Sequence, residues 1–268
     1  MAEKRVVITG STKGIGRGLA EEFIKNGCCV VVSSRKPDAV EETVAALELY
    51  GSERAAGTTC DVTEPGSIDG LWRFAVDAFG GVDIWINNAG IGSNNRFLAD
   101  TGAVDIRRMV ETNLLGTLFG CRTATDGMRK TGGIVCVMEG FGSDGMTRPS
   151  MNVYGATKRA VRYLARGLSK EVRGTRTAIV AISPGMVKTD LLVGDLGNRP
   201  SAERNRLERF FSILADDVAT VSPFIVRRLL AGPKNGERIA WLTRSKTIGR
   251  FIVSPWRISK MRPRLFRR

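Results

Sequence analysis

Along the chain, short apolar runs alternate with longer stretches in which apolar residues recur every three or four positions. VVITG (6–10) and CVVVSS (29–34) read as buried strands, and residues 14–26 between them read as a helix. The same alternation continues through GTTCDVT (57–63), VDIWINNAG (82–90), GIVCVME (133–139) and TAIVAISPG (177–185). Helical stretches at 37–50, 66–79, 103–130 and 152–172 lie between these runs. Alternating strands and helices predict a parallel sheet with helices on both faces, that is, one doubly wound α/β domain.

Composition narrows the function classes. With 268 residues, 43% of them apolar, the chain can bury one sizeable core. No uninterrupted apolar run approaches the roughly 18 residues of a membrane span. The strand-like run from Arg5 predicts that no cleavable signal peptide precedes the domain. Cys28, Cys29, Cys60, Cys121 and Cys136 lack the paired spacing of a zinc site and mostly fall in apolar runs, so they read as small core residues in a reducing, cytoplasmic setting. The chain has no histidine, which excludes Ser-His and Cys-His catalysis and histidine metal ligands. No metal is expected, and any general acid or base must be Tyr, Lys, Cys, Asp or Glu.

The charge is uneven. The formal net charge is +14, and residues 238–268 hold ten Lys or Arg and no Asp or Glu, leaving 14 − 10 = +4 for the preceding 237. The expected organisation is a domain over 1–237, with a substrate lid at about 190–222, and a basic amphipathic extension over 238–268. In the extension, arginines interleave with Phe251, Ile252, Trp256, Ile258, Leu265 and Phe266. That mixture suits the surface of an anionic membrane, giving a peripheral location. Packing on the domain or on another subunit is the alternative. Nucleic acid would also attract such charge, but no nucleic-acid fold accompanies it.

The chemistry begins at the first strand–helix junction. Gly10, Ser11, Thr12, Lys13, Gly14, Ile15 and Gly16 form a glycine-rich turn opening the first helix. Glycines let the backbone approach a pyrophosphate, and the helix N-terminus supplies free N–H groups. The second strand ends in Ser33-Ser34-Arg35, without the acidic residue that usually holds the ribose 2′-hydroxyl of NAD. Arg35, with Lys13 nearby, suits a 2′-phosphate, so the expected cofactor is NADP(H). Tyr154 and Lys158 lie four apart in a helical stretch and share one face. An adjacent ammonium favours the phenolate, which lets a tyrosine work as a proton donor near neutral pH.

These motifs, with Asp61-Val62, Asn87-Asn88-Ala89-Gly90, Asn113 and Pro184-Gly185, occur in the order seen in short-chain dehydrogenases/reductases. Residues 4 to 190 resemble that family, and MEGFGSDG, VYGATKRA and SPGMVKTDLL resemble its chlorophyll b reductase branch. The resemblance implies a Rossmann fold and a homodimer or homotetramer. It implies that Asp61 binds the adenine with Val62 beside it, and that Asn87, Ala89 and Gly90 line the cofactor near its adenosine ribose. Pro184, Gly185 and Thr189 should border the cofactor, with Thr189 reaching the carboxamide or the phosphates. Asn113 should hold a water in a proton relay. Lys158 should hold the nicotinamide ribose.

One family feature is displaced. The auxiliary serine usually stands about thirteen residues before the tyrosine, but here that count reaches Phe141. Alignment by the strand end reaches Glu139, and the first serine beyond it is Ser143. Ser150, only four back, belongs to the approach to the tyrosine helix. Ser143 can donate a hydrogen bond, and its flanking glycines let the loop fold inward. Glu139 could donate only when protonated. Ser143 is the preferred candidate; the alternatives are Glu139, or neither residue, with Ser143 simply a loop serine.

On the substrate side, Leu207, Phe210, Phe211 and Leu214 follow helical spacing, and Met146 and Met151 are adaptable apolar chains. They suit a bulky hydrophobic substrate, or ordinary packing. The expected activity is NADPH-dependent reduction of a bulky hydrophobic aldehyde or ketone, such as a 7-formyl tetrapyrrole going to its 7-hydroxymethyl form. A keto-lipid or a steroid is the alternative substrate. A non-catalytic NADP-binding regulator is the alternative role.

Overall fold

The computed structural model describes residues 3–93, 96–190, 192 and 201–254. Seven parallel strands form one sheet: β1 (Arg5–Ile8), β2 (Cys29–Ser34), β3 (Ala55–Thr59), β4 (Ile84–Asn87), β5 (Gly133–Met138), β6 (Thr177–Ser183) and β9 (Arg238–Ala240). Their order is β3-β2-β1-β4-β5-β6-β9, so the winding reverses between β1 and β4. In open α/β sheets such a reversal leaves a crevice at the carboxyl ends of the strands. A two-stranded parallel ribbon, β7 (Met186–Lys188) with β8 (Ala215–Asp217), follows β6 in the chain.

The central strands β1, β4 and β5 are largely apolar because both faces of the sheet are covered there. Val6, Ile8, Val30, Val32, Ile84 and Ile86 enter one core, whereas Val7, Val31 and Trp85 enter the other. Helix α1 (Gly14–Lys25) buries Gly16, Leu19, Ala20, Phe23 and Ile24, a stripe of i, i+3, i+4, i+7 and i+8. Prolines at the first turns open α2 (Pro37–Glu48) and α3 (Pro65–Phe79), and Gly80 ends α3 in the left-handed conformation.

The expected helix over 103–130 is instead α4 (Ala103–Val110) and α5 (Gly116–Gly127), joined by a π-helical turn, Glu111–Leu115. The third strand spans 55–59 rather than 57–63, because Asp61 already closes a turn onto Thr63. Then come α6 (Asn152–Glu171), α7 (Ser201–Leu214), α8 (Val218–Leu230) and α9 (Arg244–Ile252). The sheet runs past the expected domain limit at 237, since β9 pairs in register with β6, Ile239 beside Ile182. The first residues of the basic segment are therefore sheet. All five cysteines are buried. Among the described residues no helix is long and apolar enough to cross a membrane.

Candidate active site

The turn after β1 is shaped by contacts that only glycine permits. Gly10 has φ +62°, and a Cβ there would come within 2.9 Å of the Cα of Ala89. Ser11 Oγ donates to the carbonyl of Ile8 at 2.7 Å and accepts from the amide of Ser33 at 2.9 Å, tying the turn to β2. Asn88 Nδ2 donates to the carbonyls of Thr9 and Gly10, both at 2.9 Å. The hydroxyl of Thr9 accepts from the amides of Asn88 and Ala89. Asn88 thus braces the glycine turn, a role that the sequence left unassigned although NNAG contained it. At the start of α1 no side chain caps the helix, so its first N–H groups remain available. Thr189 closes over this point: a Cβ on Gly14 would lie 3.4 Å from its methyl group. This backbone cradle fits the pyrophosphate of a dinucleotide.

Lys13 and Arg35 are both exposed at the rim of the cradle. Ser34 bonds to the backbone of Lys36 and fixes the turn carrying Arg35. Asp61 is held by the amide and hydroxyl of Thr63, and Val62 packs against Gly116. Gly185, next to Pro184, has φ +75° and faces Leu242. Asn87 is placed differently from the expectation. Its side chain is turned into the core, where it accepts from Trp85 Nε1 at 3.0 Å and donates to the carbonyl of Cys136 at 3.1 Å. It ties β4 to β5.

The Tyr154–Lys158 pair stands on α6. Its buried face carries Tyr154, Thr157, Lys158, Val161 and Ala165, so the stripe that docks the helix also delivers Tyr154 and Lys158 inward. The Tyr154 hydroxyl rests on Gly140, where a Cβ would lie 2.3 Å from it. Lys158 Nζ donates to the carbonyl of Met138, the last residue of β5, at 3.0 Å. Burial holds the Lys158 ammonium down at about 8, and attraction from Glu139 opposes that shift.

Asn113 sits fully buried in the π-helical turn. Its side chain clamps both the amide and the carbonyl of Ile91, at 2.8 and 2.9 Å, and reaches Thr157 Oγ1 at 3.3 Å. π-bulges of this kind concentrate at functional sites. A Cβ on Gly90 would meet Asn113 Oδ1 at 3.2 Å and Lys158 Nζ at 3.7 Å, so Gly90, Asn113 and Lys158 converge.

At the strand end the two auxiliary candidates, Glu139 and Ser143, differ in their partners. The Glu139 side chain is fully buried; Arg238 Nε donates to its Oε2 at 2.8 Å, and Arg162 Nε lies 3.6 Å from its Oε1. A carboxylate between two guanidiniums accepts hydrogen bonds and has none to donate. Ser143, also buried, directs its hydroxyl to Glu139 Oε2 at a long 3.4 Å, and its carbonyl accepts from Arg159 at 3.0 Å. Ser143 is thereby fixed to α6 one turn beyond Gly140. The Glu139–Arg162–Arg238 cluster was invisible in the sequence, where Arg238 counted as part of a tail. Ser150 adopts φ +66° just before α6, and its carbonyl accepts from Ser93 Oγ at 2.6 Å.

Of the expected substrate residues, Phe211 is buried with Ala215, and Leu207 packs against them. Phe210 is partly exposed and lies 6.3 Å, centroid to centroid, from Phe251. Met146 is exposed. Lid residues 191 and 193–200, and the tail from 255 with Trp256, Ile258, Leu265 and Phe266, lie outside the described residues.

Comparison with known proteins agrees with this geometry. Residues 4–196 match the family model for short chain dehydrogenases. Over 94% of its length the chain is 36% identical to a protein of Oryza sativa subsp. japonica named probable chlorophyll(ide) b reductase NYC1, chloroplastic. It spans about half, 52%, of that relative. It is 38% identical, over 86% of its length and 67% of the relative, to the chlorophyll(ide) b reductase NOL, chloroplastic, of the same plant. Among solved structures, that of ElxO with NADP bound superposes with a TM-score of 0.78 at 28% identity, covering 89% of this chain and 96% of the other.

Proposed function

The chain belongs to the short-chain dehydrogenase family and is an oxidoreductase, and on that premise we propose that it is an NADP(H)-dependent carbonyl reductase acting on a bulky hydrophobic aldehyde or ketone. The observation that carries the reading is the buried Tyr154–Lys158 pair, delivered to the end of β5 beside Gly90 and Asn113. The names of the plant relatives support a formyl tetrapyrrole as substrate. The exposed cations Lys13 and Arg35, with no carboxylate at the end of β2, support NADP(H) over NAD(H).

When bound, the cofactor supplies the hydride. The residues would do the rest. Tyr154 donates its hydroxyl proton to the carbonyl oxygen as negative charge grows there. Lys158, charged and anchored on Met138, favours the phenolate that remains. The Ser143 hydroxyl leaves its long bond to Glu139 and donates to the same oxygen. Asn113 fixes the loop after β4, and Gly90 lets that loop approach Lys158. Water replenishes the proton.

The test is turnover of a panel holding a formyl tetrapyrrole, a keto-sphingoid base and a ketosteroid, with NADPH and with NADH. The reading expects oxidation of NADPH with the tetrapyrrole and its loss in Tyr154→Phe, with NADPH binding retained. No turnover of any member would refute it.

A further inference from the structure

Helix α9 is amphipathic in the inverted sense. At 3.6 residues per turn, Ile248 and Ile252 lie within about 40° of each other, and Lys246 and Arg250 lie on the opposite side. Lys246 and Arg250 are on the inner side. Arg250 is buried, donates to the carbonyl of Leu214 at 2.7 Å and pairs with Asp216. Lys246 lies over the ring of Trp241, whose Nε1 donates to the same Asp216 at 2.6 Å. The apolar side faces solvent: Ile248 is 63% exposed, Phe251 45% and Ile252 76%. Phe210 of α7 continues the patch through its contact with Phe251. The buried ion pair fixes this orientation, so the helix cannot roll to hide its apolar face without stranding Arg250 and Asp216.

An exposed apolar patch held in place in this way marks an interaction surface. Its surroundings select the partner. Arg244 shares the outward face, and residues 238–268 carry ten basic and no acidic side chains. A second copy docked face to face would bring like charges together. An anionic bilayer surface takes the apolar side chains into its interface and neutralises the cations.

We propose that the outward face of α9, with Ile248, Phe251, Ile252 and the neighbouring Phe210, seats the protein on anionic membranes. The inference is independent of the substrate and cofactor, and its test reads no activity. The full chain is floated with vesicles of neutral phosphatidylcholine and with vesicles holding about 30% phosphatidylserine. The protein is expected to float with the anionic vesicles, to stay behind with the neutral ones, and to be released by about 0.5 M salt. Ile248→Glu combined with Ile252→Glu is expected to lower the bound fraction at least tenfold at an unchanged melting temperature. Ile248→Ser with Ile252→Ser, a milder pair for the case that the first unfolds, is expected to lower it to an intermediate value. Failure of the unmodified protein to float with anionic vesicles overturns the proposal, as does undiminished flotation of a folded variant. A concentration-dependent dimer that the variants dissociate, without flotation, assigns the face to a second copy instead.

Discussion

Arg238 Nε donates to Glu139 Oε2 across 2.8 Å, although the two residues are 99 apart in sequence. The edge strand β9 thus reaches over β6 to the end of β5, beside the candidate active site. The pair carries a stability prediction, because Glu139 is fully buried and depends on its two guanidiniums. Removing one leaves the charge half-compensated. Arg238→Met is expected to cost about 1–3 kcal/mol, less than for a fully buried pair because Arg238 is partly exposed. Urea denaturation checks this, and an unchanged midpoint would mean that the clamp adds nothing.

Ser143 and Glu139 can be separated by kinetics. Ser143→Ala is expected to lower kcat by about a hundredfold or more, the scale of one donor to a developing oxyanion, with NADPH affinity unchanged. Loss of turnover in Glu139→Gln together with full activity in Ser143→Ala would move the auxiliary role to the strand end.

Lys158 makes a prediction in which stability and function oppose each other. Its ammonium titrates at about 8 instead of 10.5 because it is buried. The unfolded chain therefore binds more protons between those values, and stability rises with pH across that window. Lys158→Met is expected to stabilise the protein below pH 8, by on the order of 3 kcal/mol, and to abolish turnover. In the unmodified enzyme, turnover is expected to decline as pH rises through about 8. Glu139→Gln removes the attraction that opposes the shift, so the alkaline limb should move to lower pH. Thermal melts and a pH–rate profile measure both effects.

Arg35 tests the cofactor reading. Arg35→Asp places a carboxylate where a 2′-phosphate would lie and where a ribose hydroxyl could be held. The kcat/KM ratio of NADPH to NADH is expected to fall by roughly ten- to a hundredfold, the scale of a charged hydrogen-bonded contact. An unchanged ratio would place the 2′-phosphate elsewhere.

The glycine turn, the strand–helix alternation and the Tyr154–Lys158 pair were legible because each is local. The backbone needs of a tight turn, the period of a helix and a four-residue spacing are written within a few neighbouring residues. Partnership across the sheet is not local. Asn87 read as a cofactor residue, but the pleat of β4 turns its side chain to the face of Trp85, and the pairing of β4 with β5 brings the carbonyl of Cys136 to it. Arg238 read as part of a tail until the pairing of β6 with β9 set it beside Glu139. The basic charge of the C-terminal segment was countable in the chain. Which side of α9 faces outward was decided only when Asp216, 34 residues away from Arg250, claimed the guanidinium. A buried charge takes the partner that the fold brings to it, and sequence order does not specify that partner.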